Sequence, residues 1–261
     1  MNRIKQLFDN KGDKKLLSIY YTAGYPHIDS TIALAKILEA SGVDFLEIGF
    51  PYSDPVADGP VIQHSSEEAL KNGMSLDLLF NQLKELRKEV QIPVLLMGYV
   101  NPMLQYGVER FCRACAEAGV DGVIVPDLPM YEYEELYQEV FKKYNISNIF
   151  LITPQTSEER IRKIDELSTG FIYMVSSYAT TGKNLVVSEQ TAHYFQRVDA
   201  LNLRNPLVVG FGITDQASFD HALQYADAAI VGSAFVRLLS QKDYLEQISS
   251  FIGGIKGNVA V

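Results

Sequence analysis

Two hydrophobic rhythms alternate along the chain. Short, mostly apolar runs at 16–21, 45–49, 92–97, 122–125, 148–152, 171–176, 207–210 and 228–231 predict eight strands. Between and after them, at 30–41, 75–90, 108–118, 132–144, 158–167, 188–201, 216–225 and 244–252, apolar residues recur at helical spacing, so each strand is followed by a helix. Runs such as Val94-Leu95-Leu96-Met97 and Ala228-Ala229-Ile230-Val231 are apolar on both faces, as parallel strands are when helices cover them. With 261 residues, eight units take about 33 each, and no Pro/Gly/Ser-rich linker interrupts the series. The pattern predicts one α/β unit over residues 1–261, a closed (β/α)8 barrel of the TIM type. A doubly wound open sheet competes, but its Gly-x-Gly-x-x-Gly fingerprint after the first strand is missing; the first turn reads Thr22-Ala23-Gly24-Tyr25-Pro26. An amphipathic stretch at 4–8 predicts a short helix capping the barrel's N-terminal end, the alternative being a frayed terminus.

In such a barrel, function gathers at the C-terminal ends of the strands. The second strand ends in Leu46-Glu47-Ile48-Gly49 and continues Phe50-Pro51-Tyr52-Ser53-Asp54-Pro55-Val56-Ala57-Asp58-Gly59-Pro60. Strand alternation puts Glu47 either in the barrel mouth or among apolar helix contacts, and the mouth is far less costly. A carboxyl in a partly dry mouth holds its proton more readily, which suits a general acid; a structural Glu bonded to a neighbouring strand is the alternative. Asp58 sits in a loop stiffened by Pro51, Pro55 and Pro60, which can aim a carboxylate, although Asp before Gly is also an ordinary turn.

The seventh strand runs into Gly210-Phe211-Gly212-Ile213 and the eighth into Gly232-Ser233-Ala234. Loops at these two positions form the phosphate site of many such barrels, where backbone N–H groups meet the anion. Gly182, after the sixth strand, offers another close approach, and Ser233 a hydroxyl donor. A phosphate-bearing ligand is expected.

The composition narrows the field. With 23 Lys+Arg against 32 Asp+Glu, the net charge of −9 disfavours nucleic-acid binding but leaves small anionic substrates open. No apolar run approaches the roughly 18 residues of a membrane span. Two cysteines, Cys112 and Cys115, build neither a disulfide scaffold nor a four-cysteine zinc site, and on a predicted helix their C-x-x-C reads as packing. The cytoplasm is the expected location. His27, His64, His193 and His221 show no metal-ligand spacing, no metal is expected, and the acidic run at 131–135 reads as a solvated first helical turn.

The segment from Glu47 to Pro60 closely resembles the signature of the tryptophan synthase alpha chain family. The similarity extends over nearly the whole chain, through Thr22-Ala23-Gly24-Tyr25-Pro26, Tyr99-Val100-Asn101-Pro102, Asp127-Leu128-Pro129, Thr181-Gly182, Gly210-Phe211-Gly212-Ile213 and Gly232-Ser233. The resemblance implies a barrel that cleaves indole-3-glycerol phosphate to indole and glyceraldehyde 3-phosphate. It implies an alpha2beta2 complex with a beta chain that carries pyridoxal phosphate, and no cofactor in this chain. By resemblance Glu47 and Asp58 are the catalytic pair. Gly182, Gly210, Phe211, Gly212, Gly232 and Ser233 hold the phosphate. Tyr20, Met97, Tyr99, Ile124, Ile152, Phe211, Tyr173 and Thr181 surround the indole and glycerol, and Asp54 and Pro55 meet the partner.

The chemistry fits those residue types. Protonation of indole C3 by Glu47 makes an indolenine cation, which Asp58 stabilises, and loss of the glycerol hydroxyl proton, to Glu47 or through a water relay, releases the aldehyde. The sixth loop departs from the family pattern. It carries Ser177 where many members have Arg and Ala179 where they have Gly, with Lys183 as a candidate replacement charge. Three other readings remain at this point: a stand-alone indole-3-glycerol phosphate lyase, a regulatory barrel that has lost its chemistry, and a phosphate-sugar isomerase.

Overall fold

The computed structural model of the chain describes residues 2–175, 189–210 and 212–257. Eight parallel strands close into a barrel in chain order: β1 (Leu16–Thr22), β2 (Phe45–Gly49), β3 (Val94–Met97), β4 (Gly122–Ile124), β5 (Ser147–Ile152), β6 (Ile172–Val175), β7 (Leu207–Gly210) and β8 (Ala228–Val231). The ring shuts where β8 pairs β1, with Leu16 opposite Ala228 and Ile19 opposite Val231.

The strands lack polar alternation because both of their faces are buried. Outward residues such as Leu17, Ile19, Tyr21, Leu46 and Ile48 pack into the layer shared with the helices. Inward residues, among them Leu16, Phe45, Leu95, Ile124, Ile149, Tyr173, Val208 and Ile230, form a separate interior cluster. Glu47 lies between outward Leu46 and Ile48, so strand parity turns it inward, in register with Tyr20 on one side and Leu95 on the other.

The barrel's N-terminal end is plugged. Asn2 caps the helix Arg3–Asp9 by accepting from the Ile4 N–H, and Ile4 and Phe8 face the interior. The Phe8, Phe45 and Phe171 rings meet in a triangle with centroids 5.8–6.1 Å apart. The same end holds a buried ion network, in which Asp121 accepts from Arg87 at 2.6 Å, from Arg3 at 3.1 Å and from the Val94 N–H at 3.0 Å.

The helical layer departs from the pattern in three ways. The span predicted at 75–90 is two helices, Leu76–Leu83 and Leu86–Glu89. The span at 132–144 holds a wider π turn, Tyr133–Tyr137, between Met130–Glu132 and Gln138–Lys143. That turn buries Tyr133 against the Phe141 and Phe150 rings, so the acidic run is solvated only around Tyr133. Three further helices, Pro60–Lys71, Val100–Tyr106 and Ser233–Leu239, start within the segments that follow β2, β3 and β8. Cys112 and Cys115 are free and buried in the helix Val108–Ala118, and burial pushes the Cys112 thiol up to about 12. No helix among the described residues is long and apolar enough to cross a membrane.

Candidate active site

Glu47 is fully buried, and neither of its carboxylate oxygens has a hydrogen-bond partner among the described residues. A buried charge without a partner is strongly disfavoured, so the group keeps its proton, and burial raises its pKa to about 8. It is a neutral acid at pH 7.

Asp58 reaches the same place from the loop that leads into the helix Pro60–Lys71, whose N-terminus is set by Gly59 and by Pro60 in the first turn. Tyr99 fixes its carboxylate, donating to Asp58 Oδ2 at 2.9 Å while accepting from the Ala57 N–H at 3.0 Å. Burial raises the Asp58 pKa to about 6, and the Tyr99 hydrogen bond opposes that rise by favouring the ionised form. Two carboxyls of one hollow therefore sit on opposite sides of neutrality for physical reasons: one is dry and unpartnered, the other is partly dry and bonded.

Two tyrosines stand beside them, each admitted by a glycine on the neighbouring strand. A Cβ on Gly49 would lie 2.2 Å from Tyr20 Oη, and one on Gly210 only 2.0 Å from Tyr173 Oη. Both phenols are pushed up by burial first, then by the charges of Glu47 and Asp58, which places all four groups in one electrostatic neighbourhood. Tyr20 Oη also lies 3.4 Å from Thr22 Oγ1, which in turn contacts Ser65 Oγ at 2.7 Å.

These groups line a hollow of about 550 Å³ at the C-terminal mouth, together with Ile62, Met97, Gly212, Thr214, Ile230, Gly232, Ser233 and Arg237. A smaller hollow of about 320 Å³ shares Tyr20, Asp58 and Met97 and extends to Phe50, Tyr52, Pro55, Gly98 and Tyr99. The combined space has an apolar and aromatic wall, two carboxyls, and a rim of small residues at the ends of β7 and β8. It suits a flat aromatic group attached to a polar, anionic tail.

Most of the residues expected there are brought together: Glu47, Asp58, Tyr20, Met97, Tyr99, Tyr173, Gly212, Gly232 and Ser233. Ile124 faces the interior and belongs to the cluster on which Tyr20, Met97 and Tyr173 pack. Ile152 does not belong. In β5 the inward residues are Ile149 and Leu151, and Ile152 points into the helical layer, so its expected place in the pocket is corrected by strand parity. Gly210 is buried, with the Tyr173 hydroxyl in the space a side chain would take, and it is not among the described residues that line the hollow. Ser177, Ala179, Thr181, Gly182, Lys183 and Phe211 lie outside the described residues. Asp54 is exposed beside Val56, which is 82% exposed. Ile62, Thr214, Ile230 and Arg237 line the hollow without having been singled out in the sequence. For Arg237 the available signal was a basic residue four positions after Ser233, on the same helix face. Among the described residues no group of three or more His, Cys, Asp or Glu could hold a metal ion.

Comparison with known proteins places the chain in a family. A family model described as tryptophan synthase alpha chain matches residues 7–252. The chain belongs to the tryptophan synthase alpha chain family. It is thus a lyase of tryptophan biosynthesis that acts on indole-3-glycerol phosphate. It is 52% identical over 255 residues to the tryptophan synthase alpha chain of Flavobacterium psychrophilum, covering 98% of this chain and 100% of that one. It is 55% identical over 256 residues to that of Christiangramia forsetii, covering 98% and 99%. Among solved structures it resembles tryptophan synthase subunit alpha from Legionella pneumophila, with a TM-score of 0.89, 34% identity, and 99% and 98% of the two chains covered. It also resembles tryptophan synthase from M. tuberculosis in its aminoacrylate-bound form, with a TM-score of 0.86, 31% identity and 100% of both chains covered.

Proposed function

We propose that Glu47 and Asp58 divide the cleavage of indole-3-glycerol phosphate between them as a retro-aldol reaction. Glu47, protonated at pH 7, gives its proton to indole C3, and the ring becomes an indolenine cation with its positive charge shared by the ring N–H. The Asp58 carboxylate, oriented by Tyr99, accepts a hydrogen bond from that N–H and stabilises the charge. Glu47, now ionised and without a partner, takes the proton from the glycerol hydroxyl. The C–O bond becomes a carbonyl, the carbon–carbon bond breaks, and its electron pair returns to the ring. Indole and glyceraldehyde 3-phosphate leave, and Glu47 has recovered its proton.

The observation that carries this reading is the unpartnered Glu47 carboxyl, fully buried, on the wall of a hollow that also holds Asp58. Tyr20, Met97, Tyr99 and Tyr173 supply the aromatic slot for the indole, and Gly212, Gly232 and Ser233 receive the phosphate, so binding of the tail holds the reacting carbon in register. None of these steps draws on a cofactor in this chain.

In the same reading residues 1–261 act as one unit in the cytoplasm, paired with a beta chain in an alpha2beta2 complex whose pyridoxal phosphate belongs to the beta chain. The exposed loop carrying Asp54, Pro55 and Val56 ends at Asp58, so a partner seated on it would bear directly on the catalytic carboxylate. The test mixes the purified chain with indole-3-glycerol phosphate, with and without a beta chain, and measures indole and aldehyde. Slow release alone and faster release in the complex are expected. Absence of both products in the complex refutes the reading, and equally rapid release without the partner refutes the coupling.

A further inference from the structure

We propose that Arg237 binds the phosphate of the substrate and sets the affinity of the site for phosphorylated ligands. The inference rests on the function proposed above and adds a charge to a subsite otherwise made of glycine backbone and one hydroxyl.

The electrostatics of the hollow favour such a group. With Glu47 neutral, its wall still carries the Asp58 carboxylate, in a chain of net charge −9, and the substrate's tail is itself an anion. Among the described residues that line either hollow, Arg237 is the one lysine or arginine. It sits on the helix Ser233–Leu239, one turn beyond Ser233, so both side chains project from the same face toward the rim formed with Gly212 and Gly232. Its guanidinium is exposed and makes no hydrogen bond or ion pair among the described residues, and Ser233 Oγ is likewise unpaired there. In contrast, Arg87 and Arg204 are committed to Asp121 and Asp165. A planar guanidinium can take two phosphate oxygens at once while Ser233 takes the third. Because the group is exposed, the attraction is screened by salt.

The test compares Arg237→Ala and Arg237→Lys with the parent, in complex with the beta chain. Arg237→Ala is expected to raise the KM for indole-3-glycerol phosphate by about ten-fold and to change kcat by less than about three-fold, with Lys restoring part of the loss. Calorimetric titration with glycerol 3-phosphate, the tail of the substrate, should weaken by a similar factor, whereas titration with indole should not change. Added salt should raise the parent's KM more than the Ala variant's. The proposal is overturned if glycerol 3-phosphate binds the Ala variant as tightly as the parent. It is equally overturned if indole affinity falls in parallel, since that would mark a merely structural role. Should the parent bind glycerol 3-phosphate through Arg237 yet cleave no indole-3-glycerol phosphate, the proposed function fails and the anion contact stands.

Discussion

Asp121 and Glu47 are both buried carboxyl groups inside one barrel, 4% and 0% exposed, and they have opposite fates. Asp121, at the plugged end, accepts from two arginines and a backbone N–H, so its charge is satisfied on every side. Glu47, at the open end, accepts from nothing among the described residues. The first arrangement serves stability. It ties the N-terminal helix, through Arg3, to the strands it covers. The second leaves a group in a disfavoured state, and the function proposed above is what would use the proton it holds.

The largest effect is expected at Glu47. Glu47→Gln keeps shape and neutrality but has no proton to give, so kcat should fall by about a thousand-fold or more, measured as indole release, while circular dichroism is unchanged. Retained turnover would make Glu47 no more catalytic than Asp121. Asp121→Ala should do the reverse. Unpairing Arg87 and Arg3 should lower unfolding free energy by about 3 kcal/mol in urea titration, with kcat of the folded fraction nearly unchanged.

The two carboxyls of the hollow, Glu47 and Asp58, also respond differently to pH. Between its ordinary value near 4.5 and about 8, the folded chain holds a proton at Glu47 that the unfolded chain has released. Stability is therefore lost as pH rises through that window. Glu47→Gln is exempt, and should exceed the parent's stability above pH 8 by a few kcal/mol at most, on the order expected for a shift of this size. Activity should follow a bell: kcat/KM rises as Asp58 ionises near pH 6 and falls as Glu47 loses its proton near pH 8. The smallest effect belongs to Tyr99→Phe. Losing the hydrogen bond that favours ionised Asp58 should lower kcat/KM by about ten-fold and move the acid limb to higher pH, with the alkaline limb unmoved.

The same two ends differ in how far the chain's pattern reveals them. Burial on both faces wrote the strands as apolar runs, and β2, β7 and β8 begin and end where those runs do. Glu47 was legible because a lone carboxyl between Leu46 and Ile48 has one tolerable direction to face. Asp58 was not legible by itself, since Asp before Gly reads as a turn; its aim comes from Tyr99, forty-one positions away. Ile152 was misplaced because motif similarity carries no strand parity, and parity depends on β5 continuing inward at Ile149 and Leu151. The helix Pro60–Lys71 was hidden by its polar residues Gln63, His64, Ser65, Ser66, Glu67 and Glu68, despite proline at its start. Arg237 is not legible in the sequence because the pattern gives no length for the short helix after β8, and its position on that helix face is what brings it to the rim. The Asp121 network was invisible as well, because it joins residues 118 and 34 positions apart.

The proposed cleavage turns on one buried glutamate that stays protonated at neutral pH while the chain is folded. Carbon-13 NMR of selectively labelled glutamate carboxyls, titrated from pH 4 to 10 in the parent and in Glu47→Gln, reads it directly. A resonance with its midpoint near pH 8 that is missing from the variant is the predicted result. If every glutamate of the parent titrates below pH 6, Glu47 is ionised at neutrality and cannot deliver the proton that the proposed cleavage draws from it.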